Sequence, residues 1–158
     1  MTCGEAAIVN AAKLLQAASL LEVPSLVSEQ YPQGIGYTVD PLAALIDKER
    51  VFEKMTFSCM GEENIRQGLA HSGRHQLIVA GMETHVCVLQ TAIDLQDAGH
   101  RPIVVADAVS SRNLEDKELA LHRFSTEGIR VTSVESILFE LCKLSGTAEF
   151  KAISKLVK

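Results

Sequence analysis

The stretch that decides the fold is Gln76-Leu77-Ile78-Val79-Ala80-Gly81-Met82-Glu83-Thr84-His85-Val86-Cys87-Val88. Its first five residues are the short apolar run of a buried strand, and Gly81 then turns the chain. From Thr84 to Ala98 the spacing becomes helical, and Gly99 stands where a helix ends. Pro102 to Ala106 is a second apolar strand, followed by a loop through Ser110-Ser111-Arg112-Asn113 and a helix from about Leu114 to Thr126. Ile129 to Thr132 gives a further strand, Ser133 caps a helix through Leu144, and Ala148 to Val157 forms the last helix.

Working toward the amino end, Gly61 to Ser72 predicts a helix and Val51 to Lys54 a short strand. Asp40-Pro41 opens a short helix through Leu45, after a loop that holds Gly34 and Gly36. Ser25 to Glu29 reads as a strand, and Ala6 to Leu21 as an amphipathic helix. Strands that alternate with helices predict one α/β domain over residues 1–158, a parallel sheet between two helical layers. Ligands in such sheets sit beyond the carboxyl ends of the strands. The turns after Glu29, Glu53, Ala80 and Ala106 are therefore the places to look for chemistry.

The chain has 158 residues with 47% apolar content, which excludes a solvated, disordered polymer. Its net charge of −5 gives no electrostatic footprint for nucleic acid, and no apolar run is long enough for a membrane span. The four cysteines, Cys3, Cys59, Cys87 and Cys142, form no CxxC pair, so no metal ribbon or redox dithiol is expected. The opening MTCGEAAIVNAAKLL lacks the basic segment of a signal peptide. A reducing, cytoplasmic compartment is the expectation, with a mitochondrial one the alternative if the natural start lies upstream of Met1.

Two residues stand out by position. Cys87 falls in the first turn of a helix, where free N–H groups and the positive dipole end stabilise a thiolate and could hold an oxyanion. Cysteine is also a common core filler, and position alone does not separate the two readings. Lys54, flanked by Phe52, Met55 and Phe57, is either a solvated side chain or a cation held near a site.

Four ordered segments, V-F-E-K-M-T-F-S, G-M-E-T-H-V-C-V-L-Q-T-A, V-V-A-D-A-V-S-S-R and E-S-I-L-F-E-L, together resemble the isochorismatase-like cysteine hydrolase superfamily. The loop S-E-Q-Y-P-Q-G-I-G and the tail F-K-A-I-S-K-L-V-K are similar to its isochorismatase domain-containing branch, some of whose members are called MAR1 ribonucleases. The resemblance runs from about Ile8 to Lys158. It implies a Rossmann-like three-layer α/β/α fold and a covalent hydrolase of a small amide-like substrate. Cys87 matches the nucleophile and Lys54 the lysine that lowers its pKa, while Glu83 and Cys87 match the backbone oxyanion donors. Met82-Glu83 matches a non-proline cis peptide. Thr84, His85, Gln30, Tyr31 and Phe57 are expected to line the pocket, and no metal or other cofactor is implied.

One departure bears on activity. The family's triad Asp ends a first strand that precedes the helix opening this chain, and no such Asp or strand stands before Ala6. The sheet is therefore expected to lack that strand, to leave edges uncovered, and to favour homo-oligomers. The alternative is a catalytically silent scaffold of the same fold. A nucleic-acid-processing role has only the ribonuclease label of relatives behind it, against an acidic chain.

Overall fold

The computed structural model describes residues 3–158, of Cys3 only the backbone. Helix α1 (Cys3–Leu20) leads into β1 (Val27–Gln30), then short helical turns at Pro32–Ile35 and Asp40–Ala43, then β2 (Val51–Lys54). Helix α2 (Glu63–Ser72) connects to β3 (Gln76–Met82). A π-helical turn at Thr84–Val88 runs into α3 (Leu89–Asp97). Strand β4 (Arg101–Ser110), α4 (Leu114–Thr126), β5 (Arg130–Thr132), α5 (Val134–Cys142) and α6 (Ala148–Val157) complete the chain.

All the strand pairs are parallel, but they fall into two sheets. β1 pairs with β2, aligning Gln30 with Lys54, and β3-β4-β5 form the other sheet. Among the described residues no ladder joins β1 to β3. The apolar run of β3 is accordingly half-buried, whereas β4, paired on both sides, is buried along most of its length. The expectation of strands buried on both faces thus holds for β4 and not for β3.

Two apolar clusters flank β4. On one face Ile103, Val105 and Ala108 pack with Ala17 of α1, with Val134, Ile137 and Leu138 of α5, and with Ile153 of α6. On the other, Val104 and Val109 pack with Val88, Ala92, Ala120, Phe124 and Ile129. Strict alternation would put Ile103, Val105 and Val109 on one face, yet Val109 faces the other way. The inversion falls where the β3–β4 register jumps, Val79 facing Val104 and Gly81 facing Val109.

That bulge corrects the sequence expectation of a strand ending at Ala106. β4 continues to Ser110, and Asp107 lies inside it rather than in a following loop. Asp107 Oδ1 accepts the backbone N–H of Val134 at 2.8 Å, while Asp107 O accepts Asn10 Nδ2 at 2.8 Å. One carboxylate thus anchors the start of α5. The expected capping by Ser133 also forms, its Oγ accepting from Ser136 N. Asp40, by contrast, lies inside its helical turn, and Val39 occupies the cap position.

Candidate active site

The carboxyl end of β2 is built around Lys54, which is only 4% exposed. A lysine is rarely buried this far without partners. Its Nζ donates to Gln30 Oε1 at 2.5 Å, to Thr56 O at 3.0 Å and to Phe57 O at 2.8 Å. Gln30 comes from the paired end of β1 and also donates Nε2 to Met55 O at 2.8 Å. The segment Met55–Phe57 is clamped from its other side by Glu62, whose Oε1 accepts Met55 N at 3.0 Å, Thr56 N at 3.2 Å and Thr56 Oγ1 at 3.1 Å. These bonds to Met55 and Thr56 hold the Glu62 carboxyl below its ordinary range, with a smaller contribution from the Lys54 charge. Tyr31 joins the group through its backbone N–H, which donates to Lys54 O at 3.0 Å.

The second group lies where β3 ends. The Met82–Glu83 peptide is cis. Glu83 O accepts from Val86 N and Val88 N, both at 3.2 Å, and closes the π-helical turn that carries the half-buried, free Cys87. π-Helical turns often occur at functional sites. Thr84 is fully buried, and its Oγ1 has no hydrogen-bond partner in the structure.

The Glu83 carboxylate reaches across to the loop after β4, accepting Arg112 N at 2.8 Å. His85 stands between the same elements: Nδ1 lies 2.9 Å from Ser111 Oγ and 3.7 Å from Glu83 Oε2, and Nε2 lies 3.8 Å from Asp116 Oδ2. Ser111 and Asp116 as partners of the His85 side chain carry no local sequence signal, since they are 26 residues or more away.

Among the described residues, a hydrogen bond links the two groups. Cys59 N donates to Thr91 Oγ1 at 2.9 Å, and Thr91 lies one helical turn beyond Cys87. Cys59 Sγ also contacts Ser28 Oγ of β1 at 3.3 Å. Gln30, Tyr31, Lys54 and Phe57 therefore form one interlocked unit, Glu83, His85 and the Cys87 turn another, and the Cys59 segment couples them. Among the described residues no cluster of three or more His, Cys, Asp or Glu is placed to hold a metal ion. No helix described is long and apolar enough to cross a membrane.

The isochorismatase domain matches residues 3–136. This chain belongs to the isochorismatase family. It is 42% identical over 149 residues to the secreted isochorismatase effector Isc1 of Phytophthora sojae, covering 92% of this chain and 71% of that protein. It is 41% identical over 147 residues to isochorismatase domain-containing protein 1 of Danio rerio, covering 92% of this chain and 51% of the relative. The chain thus spans about half the length of that protein. Among solved structures, the MAR1 ribonuclease of Caenorhabditis elegans superposes with a TM-score of 0.90 at 35% identity, over 97% of this chain and 79% of that one. YcaC of Escherichia coli, described as an octameric hydrolase of unknown specificity, has the same fold: TM-score 0.89, 22% identity, 96% and 76% coverage.

Proposed function

We propose that this isochorismatase-family chain is a cysteine hydrolase of a small amide-like substrate, with Cys87 as nucleophile. The observation that carries this reading is a free, half-buried Cys87 in the turn that leaves β3, at the carboxyl end of a parallel sheet. The Cys87 thiolate attacks the amide carbonyl carbon, and the backbone N–H groups of Glu83 and Cys87 stabilise the resulting oxyanion. The C–N bond breaks, the amine leaves with the proton that the Cys87 thiol gave up on ionising, and a thioester remains on Sγ. Water then attacks the thioester carbonyl, releasing the carboxylic acid and regenerating the thiol. Lys54 supplies positive charge that favours the thiolate.

A second reading, a silent scaffold of the same fold, is favoured by the neutrality of every hydrogen-bond acceptor on Lys54 Nζ: one amide oxygen and two backbone carbonyls. Labelling decides between them. With iodoacetamide, sulfur displaces iodide, and the hydrolase reading expects Cys87 to react below pH 8 at least about tenfold faster than Cys3, Cys59 and Cys142. Equal rates at all four thiols favour the scaffold.

The free thiols of Cys59, Cys87 and Cys142 fit a reducing, cytoplasm-like compartment, although Isc1 is described as secreted. We propose homo-oligomers, as in octameric YcaC, to be checked by sedimentation. No nucleic-acid or membrane partner is proposed for a chain of net charge −5; salt-sensitive RNA binding would argue otherwise.

A further inference from the structure

Large apolar side chains are left in solvent at several places in the fold, and five of them stand at the carboxyl ends of strands. Tyr31 follows β1, Met55 and Phe57 follow β2, Met82 ends β3 and Leu114 follows β4, and each is about half exposed or more. Singly exposed apolar residues are ordinary, but their recurrence at every strand end that borders the site is not.

The backbone beneath them is held in place. Met55 and Phe57 sit on the segment fixed by Gln30, Lys54 and Glu62 through hydrogen bonds to both its N–H and C=O groups. Tyr31 occupies a left-handed conformation, φ 38°, which a bulky non-glycine residue adopts only when its surroundings impose it. Its ring lies so close over Gly34 that a Cβ there would stand 2.1 Å from Tyr31 Cε1. The fold thus spends backbone strain and a set of hydrogen bonds on presenting apolar groups to water.

The charges around this rim do not favour an anion. Lys54 has its Nζ turned to three protein oxygens, and the carboxylates of Glu62 and Glu83 belong to the same loops. Arg112, an exposed cation on the loop after β4, lies against Glu83, its Nε 3.9 Å from Oε2.

We infer that the site takes an uncharged carbonyl compound bearing an apolar group, aryl or branched alkyl, which Tyr31, Met55, Phe57, Met82 and Leu114 receive. This rests on the hydrolase reading for the carbonyl and on the rim alone for the apolar group.

Two acrylamides with one reactive group test it: neutral N-benzylacrylamide and anionic N-acryloylglycine. In each the Cys87 sulfur adds to the terminal alkene carbon and the α-carbon takes a proton from water. Rates at Cys87 are read by peptide mass and normalised to glutathione. The benzyl probe is expected to saturate and to be preferred about tenfold, the worth of a partly buried aryl group. Met55→Gln with Phe57→Gln should reduce that preference to about twofold, while Val9→Gln, an exposed apolar residue on α1, should not.

Equal normalised rates, or a preference indifferent to Met55 and Phe57, overturn the inference. So does labelling that slows as protein concentration rises together with sedimenting mass, because a second copy then covers the rim. If Cys87 is inert to both probes the hydrolase reading fails, and the rim is judged separately by 13C-methionine methyl shifts. Benzamide shifting the Met55 and Met82 methyls at lower concentration than benzoate upholds it, and benzoate matching benzamide overturns it.

Discussion

Arg112 donates its backbone N–H to Glu83 Oε2 across 2.8 Å, fastening the loop after β4 to the residue that opens the Cys87 turn. His85 lies alongside this bond, against Ser111 and within reach of Glu83 and Asp116. The turn is therefore held by side chains from a neighbouring strand end as well as by its own hydrogen bonds. Glu83→Ala removes the acceptor, whereas Glu83→Gln keeps one oxygen for Arg112. We expect Glu83→Ala to lose about 1 kcal/mol in urea unfolding and Glu83→Gln clearly less. Iodoacetamide labelling of Cys87 should slow in the alanine variant and recover in the glutamine one. Equal losses in the two variants would show that charge, not the hydrogen bond, does the holding.

Lys54 tests burial of a cation. Replacing it with Met leaves Gln30 Oε1, Thr56 O and Phe57 O without their shared donor at the end of β2. Unmade hydrogen bonds of this kind cost most where water cannot reach them. Lys54→Met is expected to lower stability by roughly 2–4 kcal/mol, read as a reduced urea midpoint. A midpoint within experimental error of the parent would mean that the 55–57 segment is held without the lysine.

Glu62 makes the same segment sensitive to acid. Its carboxylate accepts from Met55 N, Thr56 N and Thr56 Oγ1, and these bonds hold its pKa below the ordinary range. A carboxyl with a lowered folded pKa binds protons more readily when unfolded, so its stabilisation is full above its unfolded pKa and disappears as pH falls through the folded one. Glu62→Gln should therefore melt below the parent at pH 7. The gap should close between about pH 5 and pH 3. Melting curves across that interval check it; a gap that widens toward acid would reverse the assigned sign.

Much of this site was legible in sequence, and the limit is physical. The bounds of β2 and α4 follow from local pattern alone: Val51–Lys54 is preceded by the charged run Asp47–Arg50, and Leu114–Thr126 is bracketed by a loop and Gly128. The placing of Cys87 at a strand-to-helix turn needed only the apolar run before it and Gly81. Burial of Lys54 was not readable, because its partner Gln30 lies 24 residues away and meets it only through β1–β2 pairing. Glu62 and Ser111 escaped for the same reason, their contacts being made by folded loops. The inversion within β4 was hidden because V-V-A-D-A-V is apolar on both sides of the bulge.

Asp107 offers a counter-case, a conspicuous acid near the site whose contacts are structural. The bulge in β4 turns its carboxylate to the first N–H groups of α5, where Oδ1 accepts Val134 N at 2.8 Å. A negative charge at a helix start both satisfies an otherwise unpaired donor and complements the dipole. Asp107→Ala should cost about 1–2 kcal/mol, and Asp107→Asn, which keeps an oxygen without the charge, less than that. Because its hydrogen bonds run to α1 and α5, away from Glu83 and Lys54, neither variant should change the relative labelling rates of Cys87, Cys59 and Cys142 in the folded protein. The pair of measurements separates the two roles: a selective loss at Cys87 would move Asp107 into the reactive site, and a stability loss with unchanged selectivity keeps it as the anchor of α5.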